Sequence, residues 1–236
     1  MIERVENNDK RDALQSIIFG ATGLVGSQLW RIQKKDPRWS GITCIGRSHP
    51  IELIQDNKTS SLAVNLFEPD SFKDKLSAEV AFCCLGTTMK KAGSKEAFWR
   101  IDVDLPEILA KACAEAGVRR MIAISARGVS SNSMFFYNRA KAAMETALYN
   151  SGIPEVVIVR PSLLLGDRQE SRLGESIATK MFSALNPLLD LVGISQAGAI
   201  HADTLARAMN ELAWMQQPNS RYDNEELLKL GNTGQA

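Results

Sequence analysis

The stretch SIIFGATGLVG, Ser16 to Gly26, decides the fold. Apolar Ile17-Ile18-Phe19 stops at Gly20, glycines return at Gly23 and Gly26, and Leu29 and Ile32 then resume at helical spacing. That order reads as strand, glycine turn, helix. A phosphate binds best where free backbone N–H groups and the positive end of a helix converge, and side chains at that point would hold it off. In this reading Gly20 permits the tight turn, Gly23 lets a pyrophosphate approach the backbone, and Gly26 lets the helix pack against its strand. The spacing is GxxGxxG rather than GxGxxG, so the strand and helix around it carry the assignment to a dinucleotide.

Working outward, the apolar runs alternate with helical patterns. A helix from the glycine turn ends at Asp36-Pro37, and Ile42-Thr43-Cys44-Ile45 predicts a second strand closing at Gly46-Arg47. Ser61 to Leu66 predicts a third strand, and Val80 to Leu85 a fourth that stops at Gly86-Thr87-Thr88. Between Ala97 and Gly117 the helical spacing is interrupted by Pro106. Asp104 with Glu107 resembles a capping box, so a helix is expected to begin there. Met121 to Ile124, a helix from Tyr137 to Tyr149, and Glu155 to Val159 complete the alternation. Strands covered on both faces and separated by helices predict an α/β, Rossmann-type doubly wound parallel sheet. Residues 1 to about 14 read as a mobile lead-in, and residues 15–236 as a single domain. Its part from about 162 carries a helix over Glu175–Leu191 broken at Pro187, a short strand at Ala199-Ile200 and a helix over Asp203–Trp214, and is expected to cap the sheet's carboxyl edge.

A chain of 236 residues with 44% apolar residues can bury a full core, which excludes a disordered polymer. A net charge of +1 offers no field for nucleic acid or an anionic membrane. Cys44, Cys83, Cys84 and Cys113 have no metal-ligand spacing, so neither zinc nor a disulfide framework is expected, and Cys83-Cys84 reads as core. The charged N-terminus and the lack of long apolar runs argue against a secretory signal or a membrane span, leaving the cytoplasm as the expected location. His49 and His201 read as surface or capping residues, Asp203 as a first-turn helix residue, and Lys90-Lys91 as a solvated pair.

Tyr137 and Lys141 stand four apart on one helix and emerge from one face, and Ser125 falls where the fifth strand ends. An ammonium beside a phenol stabilises the phenolate, so Tyr137 is expected to exchange a proton with a substrate oxygen near neutral pH. FGATGLVG, Ser125 and YNRAK together resemble the short-chain dehydrogenase/reductase superfamily. CIGRSHP, CCLGTT followed by KKAGSKEAF, and RPSLLLGDRQESRLGE resemble more narrowly its atypical Tat-interacting-protein group of NADPH-binding oxidoreductase-like proteins. The resemblance implies Tyr137 as general acid/base, Lys141 as its partner and holder of the nicotinamide ribose, and Ser125 as the group that orients the substrate oxygen. It places Thr22, Gly23, Leu24 and Val25 at the pyrophosphate, and Leu85 and Gly86, with Thr87 beside them, at the adenosine side. Asn65 and Leu66 fall near adenine, with Asn65 where the family usually has an acid. Leu164 and Arg172 match positions near the cofactor, while Arg168 and Glu170 flank the cleft.

The strand before Arg47 ends without the carboxylate that usually accepts a ribose 2′-OH, so the cofactor is expected to be NADPH with Arg47 on its 2′-phosphate. The expected function is reduction of a small carbonyl substrate. The alternative is a non-catalytic NADPH sensor that controls a protein partner. An isomerase or dehydratase is disfavoured by the short stretch after Pro161.

Overall fold

The run Leu14–Phe19 forms β1, and Ile17, Ile18 and Phe19 are fully buried because parallel neighbours and helices enclose them. The computed structural model describes residues 13–48, 57–166 and 198–233. Within them β1 is joined by β2 (Trp39–Gly46), β3 (Thr59–Ala63), β4 (Val80–Cys83), β5 (Arg120–Ile124) and β6 (Glu155–Arg160). Two short strands, β7 (Leu164–Leu165) and β8 (Ile200–His201), pair with each other, and β9 (Arg221–Asp223) returns to the main sheet. The main sheet runs β3-β2-β1-β4-β5-β6-β9, and all its pairings are parallel. This is the α/β doubly wound arrangement predicted from the alternating runs.

The helices are α1 (Leu24–Lys35), the short α2 (Met89–Ala92) and α3 (Lys95–Trp99), α4 (Leu105–Glu115), α5 (Phe136–Tyr149), α6 (Ala202–Leu212) and α7 (Asn224–Asn232). Phe98 of α3, Leu109 of α4 and Met144 and Leu148 of α5 share one core with Ile17, Phe19 and Met121. Leu29 and Trp30 of α1, Leu205 and Met209 of α6 and Leu227 of α7 share the other with Ile18, Phe82 and Ile122. The α1 end is tied to α6 by polar bonds. Asp36 and Glu211 both pair with Arg38, and Trp39 Nε1 donates to Asn210 Oδ1 at 2.9 Å.

Three elements differ from the sequence expectation. The third strand lies earlier than Ser61–Leu66, because Asn65 opens a turn in which its own side chain accepts from Phe67 N–H. The region around Pro106 does not begin a new helix. Pro106 cannot donate to the carbonyl of Asp102, and its ring would press on that carbonyl, so the chain widens into a π turn over Arg100–Asp104 and continues directly into α4. Asp104 is therefore itself helical, at φ −65° and ψ −42°, and its side chain caps nothing. The described residues after Pro161 place α6 and α7 on one face of the sheet and β9 beside β6. Only Tyr222 of β9 is buried, so that strand carries no apolar run to announce it. The expected helix over Glu175–Leu191, the lead-in up to residue 12, and His49, Arg168, Glu170 and Arg172 lie outside the described residues.

Gly26 confirms close backbone packing, since a Cβ there would collide with the Gly20 carbonyl. Gly26→Ala is expected to cost about 1–3 kcal/mol through overpacking. The urea midpoint relative to wild type measures it, and an unchanged midpoint would show that α1 can move away from β1 freely.

Candidate functional site

Because the main strands are parallel, their carboxyl ends open on one edge, and the strand order reverses between β1 and β4. A crevice at such a reversal is where open α/β sheets bind ligands. After β1 the chain turns at Gly20, whose φ is +87° and whose missing Cβ would stand 2.9 Å from the Cys84 carbonyl oxygen. Gly23 N–H donates back to Gly20 at 2.9 Å, and α1 then begins with no capping side chain and no acid in its first turn. The first-turn N–H groups of Leu24, Val25 and Gly26 thus face no competing carboxylate from their own helix. Thr22 is exposed beside them. A Cβ at Gly23 would lie 3.2 Å from the Gly20 oxygen, so the glycines leave space that side chains would fill. This donor set and this space fit a dinucleotide pyrophosphate.

The flanking positions divide. Arg47 is exposed directly after β2, and Leu85, Gly86 and Thr87 follow β4. Leu164 of β7 packs on the core that contains Val25 and Leu29. Just after it, a Cβ on Gly166 would come within 2.9 Å of Leu24 Cδ1, which brings this segment against the start of α1. Leu66 is buried in the core. Asn65 is exposed, but its amide already donates to Glu68 at 2.7 Å.

Tyr137 and Lys141 do lie one turn apart on α5. Tyr137 is 39% exposed and packs edge-on against Phe98, with ring centroids 5.7 Å apart, whereas Lys141 is only 4% exposed. A buried ammonium needs a partner. It has one that sequence reasoning missed: Asp102, 1% exposed, whose Oδ1 lies 2.8 Å from Lys141 Nζ. The other carboxylate oxygen accepts Thr87 N–H at 2.8 Å. The π turn caused by Pro106 is what carries Asp102 to this place, so the proline inside a helical pattern was the available signal.

Burial, more than this pairing, corrects the expected acidity of the phenol. Burial pushes the Tyr137 pKa above the ordinary tyrosine value, Lys141 pulls it down, and Asp102 pushes it up again. The net direction is upward, so Tyr137 is a protonated group near neutral pH. Lys141 itself is held above the usual lysine value. Burial opposes its charge, and the Asp102 carboxylate and the Tyr137 oxygen outweigh that opposition.

Ser125 sits at the end of β5 as expected, but it is 5% exposed and its hydroxyl donates to Glu145 Oε1 at 2.5 Å. Glu145 is in turn held by Arg160 through two bonds, of 2.9 and 2.5 Å. In this arrangement the one hydroxyl proton of Ser125 is committed to α5 rather than offered to a substrate oxygen. Glu145 and Arg160 were invisible as a site because each reads as an ordinary polar position on its element. The side chains given ordinary roles behave so: Cys83 is core, His201 is exposed before α6, and Asp203 pairs with Arg207 in its first turn.

A family model described as NAD(P)H-binding matches residues 20–181. "Protein FMP52, mitochondrial" of Candida albicans is 32% identical over 233 residues, covering 93% of this chain and 99% of that protein. "Protein HTATIP2" of Rattus norvegicus is 33% identical over 170 residues, covering 71% and 70%. Among solved structures, the Bordetella bronchiseptica enzyme WbmG in complex with NAD has a TM-score of 0.66 at 16% identity, over 92% of this chain and 74% of that one. UDP-glucose 4-epimerase from Thermotoga maritima has a TM-score of 0.67 at 17% identity, over 92% and 81%. At such identities the likeness concerns the fold. The expected cytoplasmic location is overturned, since the FMP52 proteins of Candida albicans, Meyerozyma guilliermondii and Lodderomyces elongisporus are all named mitochondrial. The charged N-terminal stretch reads alike for several compartments, so it could not single out the cytosol.

Proposed function

Because the chain belongs to the NAD(P)H-binding, atypical short-chain dehydrogenase/reductase family of HTATIP2 and FMP52, we propose that it is an NADPH-dependent oxidoreductase that reduces a small carbonyl compound. The observation that carries this reading is an accessible, protonated Tyr137 one helical turn from a buried, charged Lys141, on the sheet edge where Gly20, Gly23 and the first turn of α1 leave a phosphate cradle. Bound there, the dinucleotide supplies hydride to the carbonyl carbon. The chain does the rest. Leu24, Val25 and Gly26 N–H groups would hold the pyrophosphate, with Thr22 beside them, and Leu85 and Gly86 would flank the adenosine side. Leu164 backs the cradle. Tyr137 gives its proton to the substrate oxygen as negative charge develops there, and Lys141 steadies the phenolate that remains and meets the nicotinamide ribose. Ser125 works through Glu145 by fixing α5 to the end of β5. On the names of its FMP52 relatives, we place the protein in the mitochondrion.

The test is NADPH oxidation by the purified protein over a set of aldehydes, ketones and quinones. Turnover with at least one carbonyl class is the expected outcome. NADPH binding without turnover across the whole set would favour the second reading, a dinucleotide sensor that controls a partner protein. That reading draws on one observation: the Ser125 proton is committed to Glu145.

The preference for NADPH rests on Arg47. Among the described residues β2 ends at Gly46 without a following carboxylate, and a guanidinium there can make charge-assisted bonds to a 2′-phosphate worth about 1.5–3 kcal/mol. Arg47→Ala should therefore weaken NADPH binding by about tenfold to a hundredfold and leave NADH binding nearly unchanged. Calorimetric titration with both dinucleotides reads this, and equal binding of the two by wild type removes the assignment.

A further inference from the structure

The carboxylate of Asp102 joins two parts of the site. One oxygen holds the loop after β4 through Thr87 N–H, and the other holds Lys141, both at 2.8 Å. We propose that Asp102 is a positioning residue that offsets the charge of Lys141 and thereby keeps Tyr137 a protonated donor at neutral pH. The proposal rests on the reading of Tyr137 and Lys141 as the reacting pair.

The argument is one of field. A lone ammonium near a phenol favours the phenolate and would make Tyr137 a base able to take a proton from an alcohol. An ammonium joined to a carboxylate presents a dipole instead of a charge, and its effect on a neighbour is correspondingly smaller. The other groups around this pair leave the balance in place. Cys83, at the end of β4, stays a neutral thiol because burial pushes its pKa up to about 11. Elsewhere on the elements packed against α5, Glu107 pairs with Lys111 on α4 and Glu145 pairs with Arg160 of β6. Lys95 of α3 stands over the Phe136 ring at 5.7 Å. Burial is the largest cause of the upward Tyr137 pKa, and Asp102 adds to it against the pull of Lys141. In the reduction the carbonyl carbon takes hydride from the nicotinamide, which is oxidised. The oxygen takes the Tyr137 proton, and water restores it.

Asp102→Asn keeps the shape and an acceptor for Thr87 while removing the charge. Ultraviolet difference titration of phenolate formation, with Tyr137→Phe as the blank that isolates its signal from Tyr149 and Tyr222, reads the result directly. In Asp102→Asn the Tyr137 phenolate is expected at least about one pH unit lower than in wild type, a tenfold gain in acidity. An unchanged titration in a folded variant overturns the proposal. Should Asp102→Asn not fold, the doubly neutral Asp102→Asn/Lys141→Met variant gives the same answer by another route. If the wild-type pair is electrically silent, removing both charges leaves the Tyr137 titration within about half a unit of wild type. A rise of about one unit or more means that Lys141 acts uncompensated, and sinks the idea. The titration needs no substrate, so it stands apart from the turnover screen. A protein that turns nothing over can still show the coupling, and a reductase whose phenol ignores Asp102 refutes this inference alone.

Discussion

Tyr137→Phe is expected to lower NADPH-dependent carbonyl reduction by about 10²–10⁴-fold while leaving dinucleotide affinity nearly unchanged. The phenyl ring keeps the edge-on contact with Phe98, so α5 should retain its packing. The Asp102–Lys141 pair involves no atom of Tyr137, so Lys141 should keep its place and its proposed role at the ribose. Only the transferable proton is lost. The measurement is steady-state NADPH oxidation beside calorimetric binding for wild type and variant. Turnover that survives the substitution would remove Tyr137 from its catalytic role even if the cofactor binds as proposed, whereas loss of binding and rate together would assign the residue to the cofactor's pocket.

Much of this arrangement was legible because it depends on local rules. Ile17-Ile18-Phe19 before Gly20 announced a buried strand feeding a turn, and the structure places β1 and α1 there because the glycines allow backbone to touch backbone. Tyr137 and Lys141 share a face because helical geometry requires it. What the sequence hid was long-range. Asp102 reaches Lys141 across 39 positions of chain, and nothing in either neighbourhood shows that an α4-side turn and α5 will meet. Pro106 marks the place of the disturbance, but a capping-box pattern at Asp104 and a π turn tolerating proline look alike in letters. Ser125 was placed at the right strand end, yet its hydroxyl direction is set by Glu145 and Arg160, which come from two later elements. The strand β9 escaped because a short edge strand of Arg-Tyr-Asp buries a single side chain.

Lys141→Met should destabilise the fold by about 3–5 kcal/mol, the usual consequence of removing one partner from a buried ion pair. The methionine fills much of the lysine's volume among Met144 and its neighbours, so a cavity accounts for little of the loss. The loss arises because the Asp102 carboxylate stays out of water with only Thr87 N–H to satisfy it. Two controls separate this cause from general damage to α5. First, Asp102→Asn/Lys141→Met should recover most of the lost stability, because the remaining amide is neutral and keeps the Thr87 bond. Second, the effect has a definite pH dependence. The folded Lys141 pKa lies above its unfolded value, so the stabilisation from its charge is fully present below the ordinary lysine pKa of about 10.4 and fades as pH rises through the folded value. The gap between wild type and Lys141→Met should therefore be constant across roughly pH 7 to 9 and shrink only in strong alkali, as read from urea midpoints along the series. A double variant no more stable than Lys141→Met alone would mean that Lys141 contributes through its packed stem and not through Asp102.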